Sequence, residues 1–120
     1  MSKKILVIDD EQDILKVTFA RLNASGYQVS TASSAEEGFK LLEKDKPDLI
    51  LLDLLLPGMQ GEDLCKVLKK DNGLKQIPII LFTASVDDVN AKTQLSCADD
   101  YILKPFEPDE LLAKIKRLIK

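Results

Sequence analysis

The sequence predicts a single α/β domain over residues 1–120, in which a parallel β-sheet is covered by helices on both faces. Five short apolar runs alternate with segments of helical periodicity, and that alternation is typical of repeated βα units. The runs at residues 49–52 and 79–82 contain no polar residue, as expected for parallel strands buried on both faces. A chain of 120 residues with 45% hydrophobic and 31% charged residues is long enough for one globular core.

Turn residues bound the predicted strands. Pro47 precedes the third apolar run and Pro57-Gly58 follows it, while Pro78 leads into the fourth. A loosely alternating stretch after Gly26 forms the second strand. The five predicted strands cover residues 3–9, 27–31, 49–52, 79–82 and 100–103.

The first helix is predicted over residues 12–25, and Gly26 ends it. Its apolar residues recur at helical spacing, so we expect one buried face. That face would contain Leu15, Phe19 and Leu22, widened by Ile14 and Val17.

The second helix begins with a capping box, in which Ser34 is the N-cap and Glu37 stands three residues further on. The residues that follow at i, i+3, i+4 and i+7 predict an apolar helix face. They are Ala35, Gly38, Phe39 and Leu42.

Three further helices are predicted. The third covers residues 61–70 with Leu64, Val67 and Leu68 inward, and residues 71–73 end it. A polar fourth helix over residues 86–96 has little apolar periodicity. The last helix begins at Pro108, a favourable first helical residue, and its predicted buried residues are Leu111, Leu112, Ile115, Leu118 and Ile119.

Composition excludes several kinds of site. The chain has no histidine, which excludes Ser-His and Cys-His nucleophile pairs and histidine metal sites. A net charge of −3 disfavours direct binding to nucleic acid. Cys65 and Cys97 lack disulfide or zinc spacing, so we expect reduced thiols in or near the core. No apolar run has the length of a membrane span or a signal sequence, so we expect a cytoplasmic protein.

Polar residues follow four of the five predicted strands. Asp9 ends the first and Asp10 comes next, while Asp53 follows the third, Thr83 the fourth and Lys104 the fifth. Each residue alone is more simply interpreted as turn or cap chemistry. In a parallel sheet, however, the carboxyl ends of the strands share one edge, where ligands bind at the switch point of strand order. We therefore expect these side chains to converge on one site.

Three carboxylates within a few ångströms cannot all ionise without help, so either one takes up a proton or a cation neutralises them. The donors are hard oxygens, which favours Mg²⁺ or Mn²⁺. A metal bound by acids, beside a lysine and a threonine, suits an incoming phosphoryl group, and aspartate can accept phosphate covalently.

The chain resembles the response-regulator receiver domain of two-component signalling, from Lys3 to about Lys120. The similarity implies a flavodoxin-like (βα)5 fold with strand order 2-1-3-4-5. Each motif alone is weak evidence for this family, but together, in this order and spacing, the motifs are specific for it. They are Ile8-Asp9-Asp10-Glu11, Leu51-Leu52-Asp53, Pro57-Gly58 with Gly61, Phe82-Thr83-Ala84, and Ala98-Asp99-Asp100-Tyr101 with Lys104-Pro105-Phe106.

The resemblance implies that Asp53 is the phosphoacceptor. It also implies a metal site formed by Asp9, Asp10, Asp53 and the backbone carbonyl of Leu55. Lys104 would pair with phosphoryl oxygens, and the Lys104-Pro105 bond resembles the family's cis peptide.

On phosphorylation, Thr83 and the backbone N–H of Ala84 would bind the phosphoryl group, and Tyr101 would turn inward as the switch residue. The partner would be a histidine kinase or a histidine phosphotransfer protein, and an output domain or target protein would read the change. The domain would catalyse its own phosphorylation and slow dephosphorylation, yet act primarily in signalling.

Three positions depart from the family pattern. Leu55 replaces a residue that is often polar, and we expect it to shield an acyl phosphate from water, so that Leu55→Asn would lose phosphate faster. Cys97 replaces a usual glycine. Asn90 stands where a basic residue would complete a set of dimer ion pairs with Asp99, Asp100, Glu110 and Lys114, so we expect a monomer or a weak dimer.

Three other interpretations compete. A degenerate receiver that binds proteins regardless of phosphorylation usually lacks one of the site residues, all of which stand here. A metal-dependent phosphatase would need an Asp-x-Asp loop and a cap insertion, and neither is present. A nucleotide or flavin binder would carry a glycine-rich loop after the first strand, where Asp9-Asp10-Glu11 would repel phosphate.

Overall fold

The computed structural model describes residues 3–53, 56, 61–83, 98–103 and 106–119. Strands and helices alternate through most of this range, as the sequence predicts. The strands are β1 (Lys4–Ile8), β2 (Gln28–Ala32), β3 (Leu49–Asp53), β4 (Ile79–Thr83) and β5 (Asp100–Leu103). The helices are α1 (Gln12–Ala24), α2 (Ala35–Lys44), α3 (Gly61–Lys70) and α4 (Pro108–Leu118). The helix predicted over residues 86–96 lies outside the described residues.

The five strands form one parallel sheet in the order β2-β1-β3-β4-β5. This confirms the predicted flavodoxin-like architecture. Strand order reverses between β1 and β3, so the chain segments that follow these two strands diverge. The switch point therefore lies where Asp9 follows β1 and Asp53 ends β3.

Alternate strand residues face two separate apolar clusters, one on each side of the sheet. On one side, Ile8 and Leu52 pack with apolar residues of α2 and α3. On the other, Val7 and Leu51 pack with α1 and α4. Because both faces are covered, neither set of alternate positions needs to be polar, which explains the unbroken apolar runs.

The buried face of α1 differs from the prediction. Phe19 is 42% exposed and Val17 is 62% exposed, while Thr18 is buried between Leu15 and Leu22 along the helix. Thr18 lies on the buried arc of α1 with Leu15 and Leu22, although an apolar pattern does not predict a polar residue there. Its Oγ1 has no hydrogen-bond partner.

The inward face of α3 also differs. Leu64 and Leu68 are buried as predicted, but Val67 is 46% exposed and Cys65 is buried instead. On a helical wheel Cys65 lies on the other side of the two leucines from Val67. The buried arc of α3 is therefore rotated towards Cys65, which confirms the expected core position of that thiol; Cys97 lies outside the described residues.

The α2 cap and the α4 face are close to their predictions. Ser34 is the N-cap, and its Oγ accepts a hydrogen bond from the Glu37 backbone N–H at 3.2 Å. The Glu37 carboxylate accepts from the N–H of Ser33 rather than Ser34, one residue earlier than in a capping box. In α4, Leu111 and Ile115 are buried, whereas Leu112, Leu118 and the C-cap residue Ile119 are only partly buried. No helix among the described residues is long and apolar enough to cross a membrane.

Candidate functional site

Asp9 follows directly after β1 and extends its pairing with β2 by one residue. Its backbone N–H donates to the carbonyl oxygen of Ala32 at 3.0 Å. Its Oδ1 accepts a hydrogen bond from the backbone N–H of Glu11 at 2.9 Å, next to the start of α1. The side chain is fully buried. The strand and the following turn therefore hold this carboxylate in one orientation.

Asp53 is the last residue of β3 and stands opposite Phe82 of β4 in the sheet register. It is 5% exposed, although the residues before it are apolar and fully buried. Burying a carboxylate is costly unless a charged or hydrogen-bonding group faces it. The position of Asp53 at a strand end, next to the switch point, is therefore typical of a functional carboxylate.

Asp9, Asp10 and Asp53 form a compact acidic cluster. Each offers one carboxylate oxygen, and these oxygens all lie within 4.8 Å of one another. Two of the three residues are buried and Asp10 is exposed. The sequence-based prediction that these three acids converge is thus confirmed by the geometry.

The donor set fits a small hard cation. Three carboxylate oxygens at this spacing, with Asp10 open to solvent, can surround one divalent ion together with water molecules. No sulfur or imidazole donor is part of the cluster, which favours Mg²⁺ or Mn²⁺ over softer metals.

The remaining predicted site residues are only partly described. Thr83 ends β4 and stands opposite Leu103 of β5 in the register, at the same edge of the sheet as Asp53. Leu55, Ala84, Lys104 and Pro105 lie outside the described residues, so their predicted roles stay predictions.

Tyr101 lies in β5 with 42% of its surface exposed. The ammonium group of Lys114, on α4, lies 5.7 Å from the centre of its ring. The same ammonium is 3.2 Å from Asp100 Oδ1, and the guanidinium of Arg117 bonds the other oxygen of Asp100. We call Asp100, Lys114 and Arg117 the β5–α4 ion cluster.

A second ion pair holds the start of β5 to α3. Lys69 Nζ lies 3.2 Å from Asp99 Oδ2 and also donates to the carbonyl oxygens of Lys75 and Ile77. Asp99 in turn exchanges two hydrogen bonds with the backbone of Ile79, at 2.8 Å each. The sequence does not predict this contact, because thirty residues separate Lys69 from Asp99 and no sequence pattern links the two.

Asp99 and Asp100 are similar to residues that form ion pairs across a dimer in some members of the family. In this structure both are engaged by cations of their own chain.

Comparison with known proteins identifies the family of the chain. The family model for the response regulator receiver domain matches residues 5–116. The alkaline phosphatase synthesis transcriptional regulatory protein PhoP of Bacillus subtilis is 42% identical over 121 residues, which cover all of this chain and 50% of that protein. The chain spans about half the length of the curated relatives it matches.

Solved structures share the fold closely. A putative response regulator from Chloroflexus aurantiacus has a TM-score of 0.92 at 31% identity, covering 99% of this chain and 98% of that one. The receiver domain of sensor histidine kinase PA1611 from Pseudomonas aeruginosa has a TM-score of 0.91 at 26% identity, covering 99% and 98%, and is described with a magnesium ion coordinated in its active-site cleft. With the family model matched over residues 5–116, this chain belongs to the response regulator receiver domain family.

Proposed function

We propose that this receiver domain accepts a phosphoryl group on Asp53 from the phosphohistidine of a partner protein and signals through the resulting change of its surface. The observation that carries the proposal is the acidic cluster, in which Asp9 and Asp53 are buried and all three carboxylate oxygens lie within 4.8 Å. Three carboxylates at this spacing repel one another unless a proton or a positive charge compensates them, and the switch point is where ligands bind in folds of this kind. Both features favour a functional role.

Asp9, Asp10 and Asp53, with the carbonyl of Leu55, would hold Mg²⁺. When bound, the ion neutralises the carboxylates and stabilises negative charge on the transferring phosphoryl group. The chain's own contribution is to fix the carboxylates in advance. The bond from the Glu11 N–H to Asp9 and the strand-end position of Asp53 support that proposal.

The proposed transfer is an in-line displacement at phosphorus. A carboxylate oxygen of Asp53 forms a bond to phosphorus as the phosphorus–nitrogen bond of the donor breaks, and the partner's imidazole leaves. The product is an acyl phosphate. Water attack on its phosphorus later releases inorganic phosphate and regenerates the carboxylate, which would make the domain its own slow phosphatase.

The proposed response involves Thr83, Ala84, Lys104 and Tyr101. Lys104 would pair with the phosphoryl oxygens while Thr83 and the Ala84 N–H bind them, and the space left by Thr83 would favour an inward ring of Tyr101. The outward position of that ring in the unphosphorylated chain supports a role as the switch. A phosphoryl group shifts this equilibrium only by its different affinity for the two states.

The relatives suggest how the signal is used. PhoP is named a transcriptional regulatory protein, and this chain matches half of its length. We propose that the receiver acts on an output domain or on a separate target, with a histidine kinase or a phosphotransfer protein as donor. The receiver itself has net charge −3 and would not contact nucleic acid directly.

Incubation with acetyl phosphate and Mg²⁺, followed by intact-mass measurement, tests the proposal. We expect the wild type to gain the mass of one phosphoryl group when Mg²⁺ is present, and to gain none when a chelator is added. Asp53→Asn is the matched control, because it keeps the size of the side chain and loses the nucleophile.

A wild type that gains no mass while it binds Mg²⁺ would contradict the proposal. That result would favour the degenerate receiver, which binds partners regardless of phosphorylation.

A further inference from the structure

We infer that Lys114 holds the ring of Tyr101 in its outward position and thereby restrains the change to the active state. This inference rests on the proposed switch role of Tyr101, and it assigns to Lys114 the contact that keeps the ring outward before phosphorylation. The structural observation is the ammonium of Lys114, 5.7 Å from the centre of the Tyr101 ring.

The contact joins two faces of the sheet at its edge. Tyr101 stands opposite Leu81, which belongs to the cluster on the α2 and α3 side, whereas Asp100 stands opposite Ile80, which faces α1 and α4. The side chain of Lys114 comes from α4 and still reaches the ring. It can do so because β5 is an edge strand and the outward ring is 42% exposed.

Asp100 fixes the position of that ammonium. Lys114 Nζ lies 3.2 Å from Asp100 Oδ1, and the side chain of Asp100 is only 12% exposed. Arg117 binds the second oxygen of the same carboxylate and completes the β5–α4 ion cluster. Because Asp100 holds its ammonium group, Lys114 cannot follow the ring far, so an inward turn of Tyr101 breaks the cation–π contact.

The size of the effect follows from the type of contact. A cation–π contact at a partly exposed site contributes enough to change an equilibrium by about two- to fivefold. Without the Lys114 charge, the ratio of inward to outward Tyr101 should therefore rise about two- to fivefold. If phosphoryl uptake depends on the inward state, uptake from acetyl phosphate should accelerate by the same factor.

Lys114→Gln removes the charge and keeps a long polar side chain of similar helix propensity. Lys116→Gln is the matched control, because Lys116 lies on the same helix, is exposed, and makes no contact with Tyr101 or Asp100. We expect Lys114→Gln to take up phosphate about two to five times faster than wild type, and Lys116→Gln to match wild type.

Tyr101→Ala supplies the second comparison. If Lys114 acts through the ring, Lys114→Gln should leave the rate unchanged when it is introduced into Tyr101→Ala. An equal acceleration in that background, or an equal acceleration by Lys116→Gln, would show a general effect of charge and overturn the inference.

The ring itself can be observed without any phosphorylation. Tyr27 and Tyr101 are the only two tyrosines, so 3-fluorotyrosine labelling gives two ¹⁹F signals, and Tyr27→Phe assigns them. We expect the Tyr101 signal to move in Lys114→Gln, with a smaller H₂O/D₂O isotope shift, and to stay in place in Lys116→Gln. An unchanged Tyr101 signal would overturn the inference.

The two arms separate the possible failures. A wild type that takes up no phosphate contradicts the proposed function. Even then, the ¹⁹F measurement still tests whether Lys114 restrains the ring of Tyr101. A wild type that is phosphorylated normally, with no difference between wild type and Lys114→Gln, contradicts the restraint alone.

Discussion

Gly38 in α2 is packed so closely against β1 that the smallest side chain should disturb the site. A Cβ atom at position 38 would lie 2.7 Å from Ile8 Cδ1 and 3.3 Å from Ile8 Cγ1. Carbon atoms pack best at about 3.5–4.0 Å, so Ile8 would have to move by about 1 Å. Ile8 is fully buried and directly precedes Asp9.

Two opposing terms decide the effect of Gly38→Ala on stability. Alanine in place of glycine inside a helix stabilises by about 1 kcal/mol. Overpacking a buried site usually costs about 1–3 kcal/mol, and the fully buried Ile8 has little room to adjust. We therefore expect a net loss of about 1 kcal/mol in the free energy of unfolding, seen as a fall in Tm of about 4 °C.

Ile8→Val is the matched partner, because it removes the Cδ1 atom that the new methyl group would meet. Alone it should cost about 0.5–1.5 kcal/mol. Combined with Gly38→Ala, the new methyl group occupies the vacated space, so the double variant should be more stable than the sum of the single effects by about 1 kcal/mol or more. Urea unfolding followed by circular dichroism measures all four proteins.

The same cycle tests the link from packing to the site. We expect Gly38→Ala to weaken Mg²⁺ binding, because a displaced Ile8 moves Asp9, and the double variant to recover it. A Gly38→Ala protein that is more stable than wild type, or single effects that add to within about 0.5 kcal/mol, would refute this reasoning.

Three further stability predictions concern side chains that the structure singles out, each measured by urea unfolding. Thr18→Val removes a buried hydroxyl without a partner and should stabilise by about 1 kcal/mol; a loss of stability would contradict that account. Ser34→Ala should cost about 1 kcal/mol through the lost N-cap bond, whereas Ser33→Ala should cost less, because Ser33 takes part only through its backbone N–H, which donates to the Glu37 carboxylate and which alanine keeps; equal costs would refute the cap. Lys69→Met should cost about 1–2 kcal/mol by breaking the ion pair and two bonds to carbonyl oxygens, and Lys70→Met, at an exposed neighbouring position, should be near neutral; two similar values would argue against the contact.

The positions of the strands and of the acidic cluster could be predicted because they follow from local pattern and topology. Apolar runs such as Leu49–Leu52 identify buried parallel strands, and parallel strands end at one edge. Asp9 and Asp53 are 44 residues apart in the sequence, yet β1 and β3 are neighbours in the sheet. The topology alone therefore brings the two carboxylates together.

Which side of each helix is buried could not be predicted as well. Apolar periodicity favoured Val17, Phe19 and Val67, all of which are more than 40% exposed. The buried arc depends on the direction from which the sheet and the neighbouring helices approach, and periodicity carries no such information. Thr18 and Cys65 fill those arcs instead, because a methyl or a thiol packs as well as a small aliphatic group.

The contacts that hold β5 were also beyond sequence reasoning. The pairs Lys69–Asp99 and Lys114–Asp100 join residues 30 and 14 positions apart, and no local sequence pattern links their members. They meet only because α3 packs on one face of the sheet and α4 on the other. The resemblance compared Asp99, Asp100 and Lys114 with a set of dimer ion pairs, and gave no sign that they also pair within one chain.

We propose that Asp53, and neither of its acidic neighbours, accepts the phosphoryl group. Borohydride reduction of the acetyl-phosphate-treated protein converts an aspartyl phosphate to homoserine, and peptide mass mapping locates the converted residue. We expect homoserine at position 53 only, dependent on Mg²⁺ and absent from Asp53→Asn. Homoserine at Asp9 or Asp10, or a phosphoryl group that persists in Asp53→Asn, would contradict it.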